Sequence, residues 1–161
     1  MELWKVQMRI LTIIAAGLFV AQSASAQSGA GTLDDWRRAM GCEAHISKLA
    51  DENERGYRSF VAAARRDPKL RDQVADIERT EEANVKAKRV FASSARAGAD
   101  ALMAAGYQGW RAADPSLPAQ DELVRREEAA ARKAAAKPKN VLQLSAAIDG
   151  LRCETILAPT G

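Results

Sequence analysis

The chain has 161 residues, of which 47% are apolar, 28% charged and only 5% aromatic, with a formal net charge of +3. That length holds one domain and not comfortably two, and so small a charge excess is no footprint for nucleic acid. Much of the apolar share is alanine, so the core is thin. The wealth of alanine, arginine, glutamate and lysine favours helix over strand throughout.

The first 26 residues read as a secretory leader. Lys5 and Arg9 make a basic start, Ile10 to Ala21 an apolar stretch of 12 residues, and Ala24, Ser25 and Ala26 a small-residue cleavage site before Gln27. Spanning a bilayer takes ~20 apolar residues, so an uncleaved anchor is the weaker reading. No cysteine follows the cleavage point, which speaks against a lipoprotein. The short, alanine-rich leader has a bacterial character. It places the mature chain, 27–161, in the periplasm or outside the cell, with no stable membrane insertion once the leader is gone. Without Lys5, Arg9 and Glu2 the mature chain keeps 22 basic against 20 acidic residues. That near-neutral balance, together with export, argues against nucleic acid as a partner.

The two cysteines, Cys42 and Cys153, sit in an oxidising compartment on this reading, where an even pair implies a disulfide. The C-x-x-C spacing of a redox pair is missing.

In chain order, residues 27–31 form a flexible lead-in. Thr32 followed by Asp35 resembles a capping box and opens helix one, expected from Leu33 to about Arg66. Its inward face reads Trp36, Ala39, Glu43, Ile46, Ala50, Asn53, Tyr57, Phe60 and Ala64. Asp67 as N-cap with Pro68 at the first position opens helix two, expected to run unbroken to Ala105 and to end at Gly106. Its seam continues as Leu70, Val74, Ile77, Glu81, Asn84, Lys88, Phe91, Ala95, Gly98 and Leu102. Steps near 3.5 residues imply left-handed, coiled-coil-like pairing. A tight turn at Arg66–Asp67 folds the two helices into an antiparallel hairpin, pairing Phe60 with Val74, Tyr57 with Ile77 and Asn53 with Glu81.

Tyr107 to Pro118 reads as a loop, with Tyr107, Trp110 and Arg111 plugging the bundle near Trp36. Helix three is expected from Ala119 to Ala136, with a basic later part that includes Arg125, Arg126, Arg132, Lys133, Lys137 and Lys139 diluted by Glu127 and Glu128. Asn140 with Gln143 caps helix four, which carries Val141, Leu144, Ile148, Leu151 and Thr155. Pro159 ends the order and leaves 158–161 as a flexible tail. The expected fold is all-α: one antiparallel bundle of about four helices, with a long hairpin projecting past the shorter pair, closed by Cys42–Cys153.

No catalytic, metal or nucleotide motif stands out. His45 is the only histidine and reads as a solvated surface residue, so neither a metal site nor a histidine-based nucleophile is expected. Glu43 and Glu81 come out ~15 Å apart along the hairpin, too far for paired carboxylate chemistry. No cofactor is expected. Two constellations remain. Tyr57, Phe60, Val61, Leu70 and Val74 cluster at the hairpin tip, where an uncovered apolar group would mark a partner site. Glu43, Asn53, Glu81, Asn84 and Lys88 interrupt the seam as a polar layer that either sets register or holds a small ligand. The leading expectation is a non-enzymatic interaction protein of the periplasm that docks another envelope protein or a second copy of itself through the hairpin. The alternative is a small-ligand-binding bundle that uses the polar layer.

Overall fold

A computed structural model describes residues 31–157. The leader, its cleavage point, residues 27–30 of the lead-in and the tail 158–161 lie outside the described residues. The elements are α1 (Leu33–Ala64), a 3-10 turn (Arg71–Gln73), α2 (Val74–Ala113), α3 (Gln120–Ala135), α4 (Val141–Gly150) and α5 (Cys153–Leu157). Among the described residues there is no strand, and no helix is long and apolar enough to cross a membrane. The fold is the all-α antiparallel bundle with a long hairpin. Helix α1 runs 32 residues and α2 40, whereas α3 has 16 and α4 only 10.

The start of α1 follows from its cap. Thr32 Oγ1 accepts a hydrogen bond from the Asp35 amide at 3.1 Å, and Asp35 Oδ2 accepts one from the Thr32 amide at 3.0 Å. Both satisfy helix-end donors that would otherwise go unpaired. Asn140 caps α4 in the same way, accepting from the Gln143 amide at 2.9 Å.

Helix α2 differs from expectation at both ends. Asp67 does not cap it. Its Oδ1 takes the Lys69 amide at 2.9 Å in a tight local turn, and the helix proper begins only at Val74. At the other end Gly106 lies inside α2, which continues to Ala113. A methyl at Gly106 would overlap the Trp110 indole one turn on, so the glycine makes room for that ring instead of ending the helix. Tyr107, Trp110 and Arg111 are therefore helical and not in a loop.

Helix four is also interrupted. Arg152 takes a left-handed φ of 53°, separating α4 from α5 and turning Cys153 toward Cys42. The disulfide between them is formed, with Cα atoms 5.7 Å apart and a sequence separation of 111.

Three apolar clusters follow one another up the molecule. At the base, Trp36, Met40, Met103, Tyr107 and Leu123 are joined by Ala39 and Ala99. Above it, Cys42, Ile46, Ala92, Ala95 and Cys153 pack with Ile148 and Leu151. Gly41 lets the Leu151 methyls approach to 3.4–3.5 Å of where a side chain would begin. At the tip, Val61, Ala64 and Val74 pack with Tyr57, Leu70 and Ile77. Helices α3 and α4 both lie against α1, and α5 touches α2 and α1. Among the described residues none from α3, α4 or α5 joins the tip cluster. The hairpin projects.

The base is tied by polar contacts to backbone. The Trp110 indole N–H donates to the Gly31 carbonyl at 3.0 Å, the Tyr107 hydroxyl donates to the Pro118 carbonyl at 2.8 Å, and Arg111 donates to the Leu117 carbonyl. The Trp36 and Trp110 rings lie tilted with centroids 6.3 Å apart. Gly31, expected in the flexible lead-in, is thus held by α2. His45 is buried, contrary to expectation, and its Nδ1–H donates to the Gly41 carbonyl at 2.8 Å.

Candidate functional site

The hairpin above the disulfide presents two unlike faces. Its register follows from three ion pairs that cross it: Arg89 with Asp51 at 3.1 Å, Arg89 with Glu54 at 2.7 Å, and Arg65 with Glu78 at 2.6 Å. These replace the expected partners. Because the connector takes up Arg65 to Gln73 before α2 begins, α2 is displaced along α1 relative to a hairpin turning at Arg66–Asp67.

The buried seam also slips by one position. Along α2 the buried residues are Val74, Val85, Ala92, Ala95, Ala99, Met103, Gly106 and Tyr107. Of the expected seam Val74 and Ala95 are buried, whereas Val85, Ala92, Ala99 and Met103 take the places next to Asn84, Phe91, Gly98 and Leu102. On α1 the inward residue is Val61, only 4% exposed, and the neighbouring Phe60 is 48% exposed. A straight helix turns once per 3.6 residues and drifts ~20° per heptad away from such a repeat. At those positions the offset amounts to one residue, whereas Ala64 and Ala95 keep their expected places in the seam.

One face carries the crossing ion pairs and two shallow grooves. The larger, about 420 Å³ and wide open, is lined by Glu54, Tyr57, Arg58, Glu82, Val85 and Arg89 among others. A smaller one of about 280 Å³ continues it toward Arg65 and Glu78. The Arg89 hydrogen bond holds the Glu54 carboxyl below the ordinary carboxylate range, against a small cost of desolvation, with Arg58 adding its charge. Such exposed pairs contribute little to stability. They make this face a lattice of charges, most of them paired.

The other face carries most of the polar layer. Asn53, Glu81, Asn84 and Lys88 are half-buried, and burial pushes the Lys88 ammonium below its usual range, partly offset by the charge of Glu81. Among the described residues no acidic group lies within ion-pair distance of Lys88. Glu43 is not part of this group. It sits beside Cys42, far down α1, and accepts from the Ser47 hydroxyl at 3.1 Å. The five polar residues are therefore strung along the hairpin, and none of them lines either groove.

The tip residues divide in a similar way. Val61 and Val74 are buried, Tyr57 and Leu70 pack around them, and Phe60 faces outward. Of the other exposed apolar residues, Phe91 at 40% and Val141 at 42% were expected in the seams, and sequence reasoning did not single out Val90 at 57% or Leu142 at 71%. Val141 and Leu142 open α4, directly after its cap Asn140. The basic run of α3 is partly neutralised in place, Arg125 pairing with Asp121 at 3.0 Å and Arg126 with Glu127 at 3.2 Å. Among the described residues no cluster of three or more His, Cys, Asp or Glu could hold a metal ion.

Compared with known protein families, with curated proteins and with solved structures, the chain matches none.

Proposed function

We propose that the protein is an exported, non-enzymatic interaction protein of the bacterial periplasm, which docks an envelope protein or a second copy of itself through its helical hairpin. The observation that carries this reading is the bare shaft: its tip cluster is built from the hairpin alone, and Phe60 stands 48% exposed beside it. Two helices by themselves bury their apolar side chains incompletely, and an apolar residue left outside such a pair gains by being covered by a third element.

The test is the double substitution Phe60→Asp and Leu70→Asp. The variant is expected to keep its helical circular dichroism and to lose both its self-association by light scattering and its crosslinked complexes in cells. Complexes that persist unchanged in a folded variant would refute the reading. The alternative, a small ligand held by the polar layer, has less support because those residues are spread along the shaft and line neither groove. It predicts thermal stabilisation by some metabolite that is lost in Glu81→Ala.

A further inference from the structure

The polar face of α2 is self-complementary when reversed. Ile77 and Phe91 lie seven residues on either side of Asn84, with Glu81 three before it and Lys88 four after it. By helical spacing the five residues share one flank of the shaft. Of the other charges of this stretch, Glu78, Glu82, Lys86 and Arg89 turn to the grooved face, and Arg79 pairs with Asp76. Reading outward from Asn84, the order is acid then apolar in one direction and base then apolar in the other.

The adjacent flank of α1 is open at the same height. The pairs Arg89–Asp51 and Arg65–Glu78 bracket Gly56 and Asn84 from below and above. At Gly56 nothing lies within 4 Å of where a side chain would begin, so a second backbone can come close there. Phe60 lies one turn above it on the same flank, and Asn53 just below.

We propose that this face pairs with the same face of a second copy, the two shafts lying antiparallel about a two-fold axis at the height of Asn84 and Gly56. The symmetry sets Glu81 of each copy opposite Lys88 of the other, Ile77 opposite Phe91, and Phe60 against the other shaft at the height of Asn53. An isologous contact makes each of these pairs twice. It supplies the half-buried Lys88 ammonium with a carboxylate at ion-pair distance, of which it has none among the described residues, and it covers Phe60. The shaft from Phe91 to Ile77 is ~21 Å long and two helices are ~20 Å wide, so the contact buries roughly 400–500 Å² on each copy. Stable dimers bury ~1,200 Å² or more in total. The pairing is accordingly a weak, concentration-dependent association and not an obligate one.

This inference rests on the hairpin being the contact element and narrows its partner to a second copy. Sedimentation equilibrium of the oxidised full chain, from about 1 to 500 µM, should show a monomer–dimer equilibrium. Glu81→Lys and Lys88→Glu should each weaken it by about tenfold or more, and the double exchange should restore it to within about threefold of wild type. A short bis-maleimide should join two chains through Asn84→Cys but not through Arg79→Cys, which lies outside the face. A wild type that stays monomeric, a double exchange that stays weak, or equal crosslinking at both cysteines would overturn the pairing. If the wild type is monomeric and Phe60→Asp with Leu70→Asp still abolishes crosslinked complexes in cells, the pairing falls and docking to another protein stands. Loss of neither signal sinks both.

Discussion

At the scale of single residues, two positions show a local rule yielding to its neighbours. Gly106 costs helix stability by its intrinsic preference, about 1 kcal/mol relative to alanine, yet it is buried within α2 under the Trp110 ring. That indole cannot simply move aside, because its N–H is bound to the Gly31 carbonyl. Gly106→Ala should therefore destabilise the protein by about 1–3 kcal/mol in chemical denaturation, since overpacking outweighs propensity. In a Trp110→Ala background the same substitution should turn stabilising, and the difference measures the contact. Lys88 shows the opposite balance. Burial lowers its ammonium pKa below the ordinary 10.5, so folding is opposed while the group is charged. That penalty is present in full below the folded pKa and fades as pH rises toward the unfolded one. Lys88→Met should raise monomer stability by about 1 kcal/mol at neutral pH, and thermal unfolding at rising pH should show the gain shrinking. Phe60 teaches a third lesson. Its exposure was hidden in the sequence because Phe60 and Val61 are neighbours on the edge of the same apolar stripe, and packing at the tip takes Val61 inward with Ala64.

At the scale of elements, the starts of helices were the legible part. Thr32 with Asp35 and Asn140 with Gln143 each satisfy amides that have no other partner, and that chemistry depends only on residues three apart. Ends and breaks were harder to read, because they are decided by contacts distant in sequence. Asp67 with Pro68 carries the marks of a helix start but serves the turn before it, and Gly106 carries the marks of a stop but is spent on packing. Arg152 gave no signal at all. A left-handed arginine costs about 1–2 kcal/mol, and this one directly precedes Cys153 and its bridge to Cys42. Arg152→Gly relieves that strain at an entropic cost of about 0.5–1 kcal/mol. Differential scanning calorimetry should find the variant as stable as the wild type or more so, by up to ~1 kcal/mol. A glycine at an ordinary helical position would be destabilising instead.

At the scale of the whole molecule, inequality of length determines form. At 1.5 Å per residue α1 and α2 reach ~48 and ~60 Å, twice or more the span of α3 and α4. The short helices cover only the lower part of the long pair. That inequality, the all-helical class and the pairing of the two cysteines were readable from punctuation and composition. The placement of the tip and polar-layer residues was readable only in part: Val61 and Val74 turn inward, Phe60 faces outward, and Glu43 lies apart from the others. Assigning a residue to one side of a shaft depends on the register of the connector, and Arg65 to Gln73 gives no clue to how many residues it consumes until the ion pairs above it are known.

The Cys42–Cys153 bond has a consequence for how the molecule breaks. It makes a covalent ring of the chain from Cys42 to Cys153, and the connector at the far end of that ring exposes Arg65, Arg66, Lys69 and Arg71. Trypsin cutting there under mild conditions should open the ring without releasing a fragment: one band on a gel run without reductant, two when the sulfur bridge is reduced. The shaft would then be two free-ended rods still hinged at the body, and any adhesion it loses on nicking would be owed to the integrity of its tip.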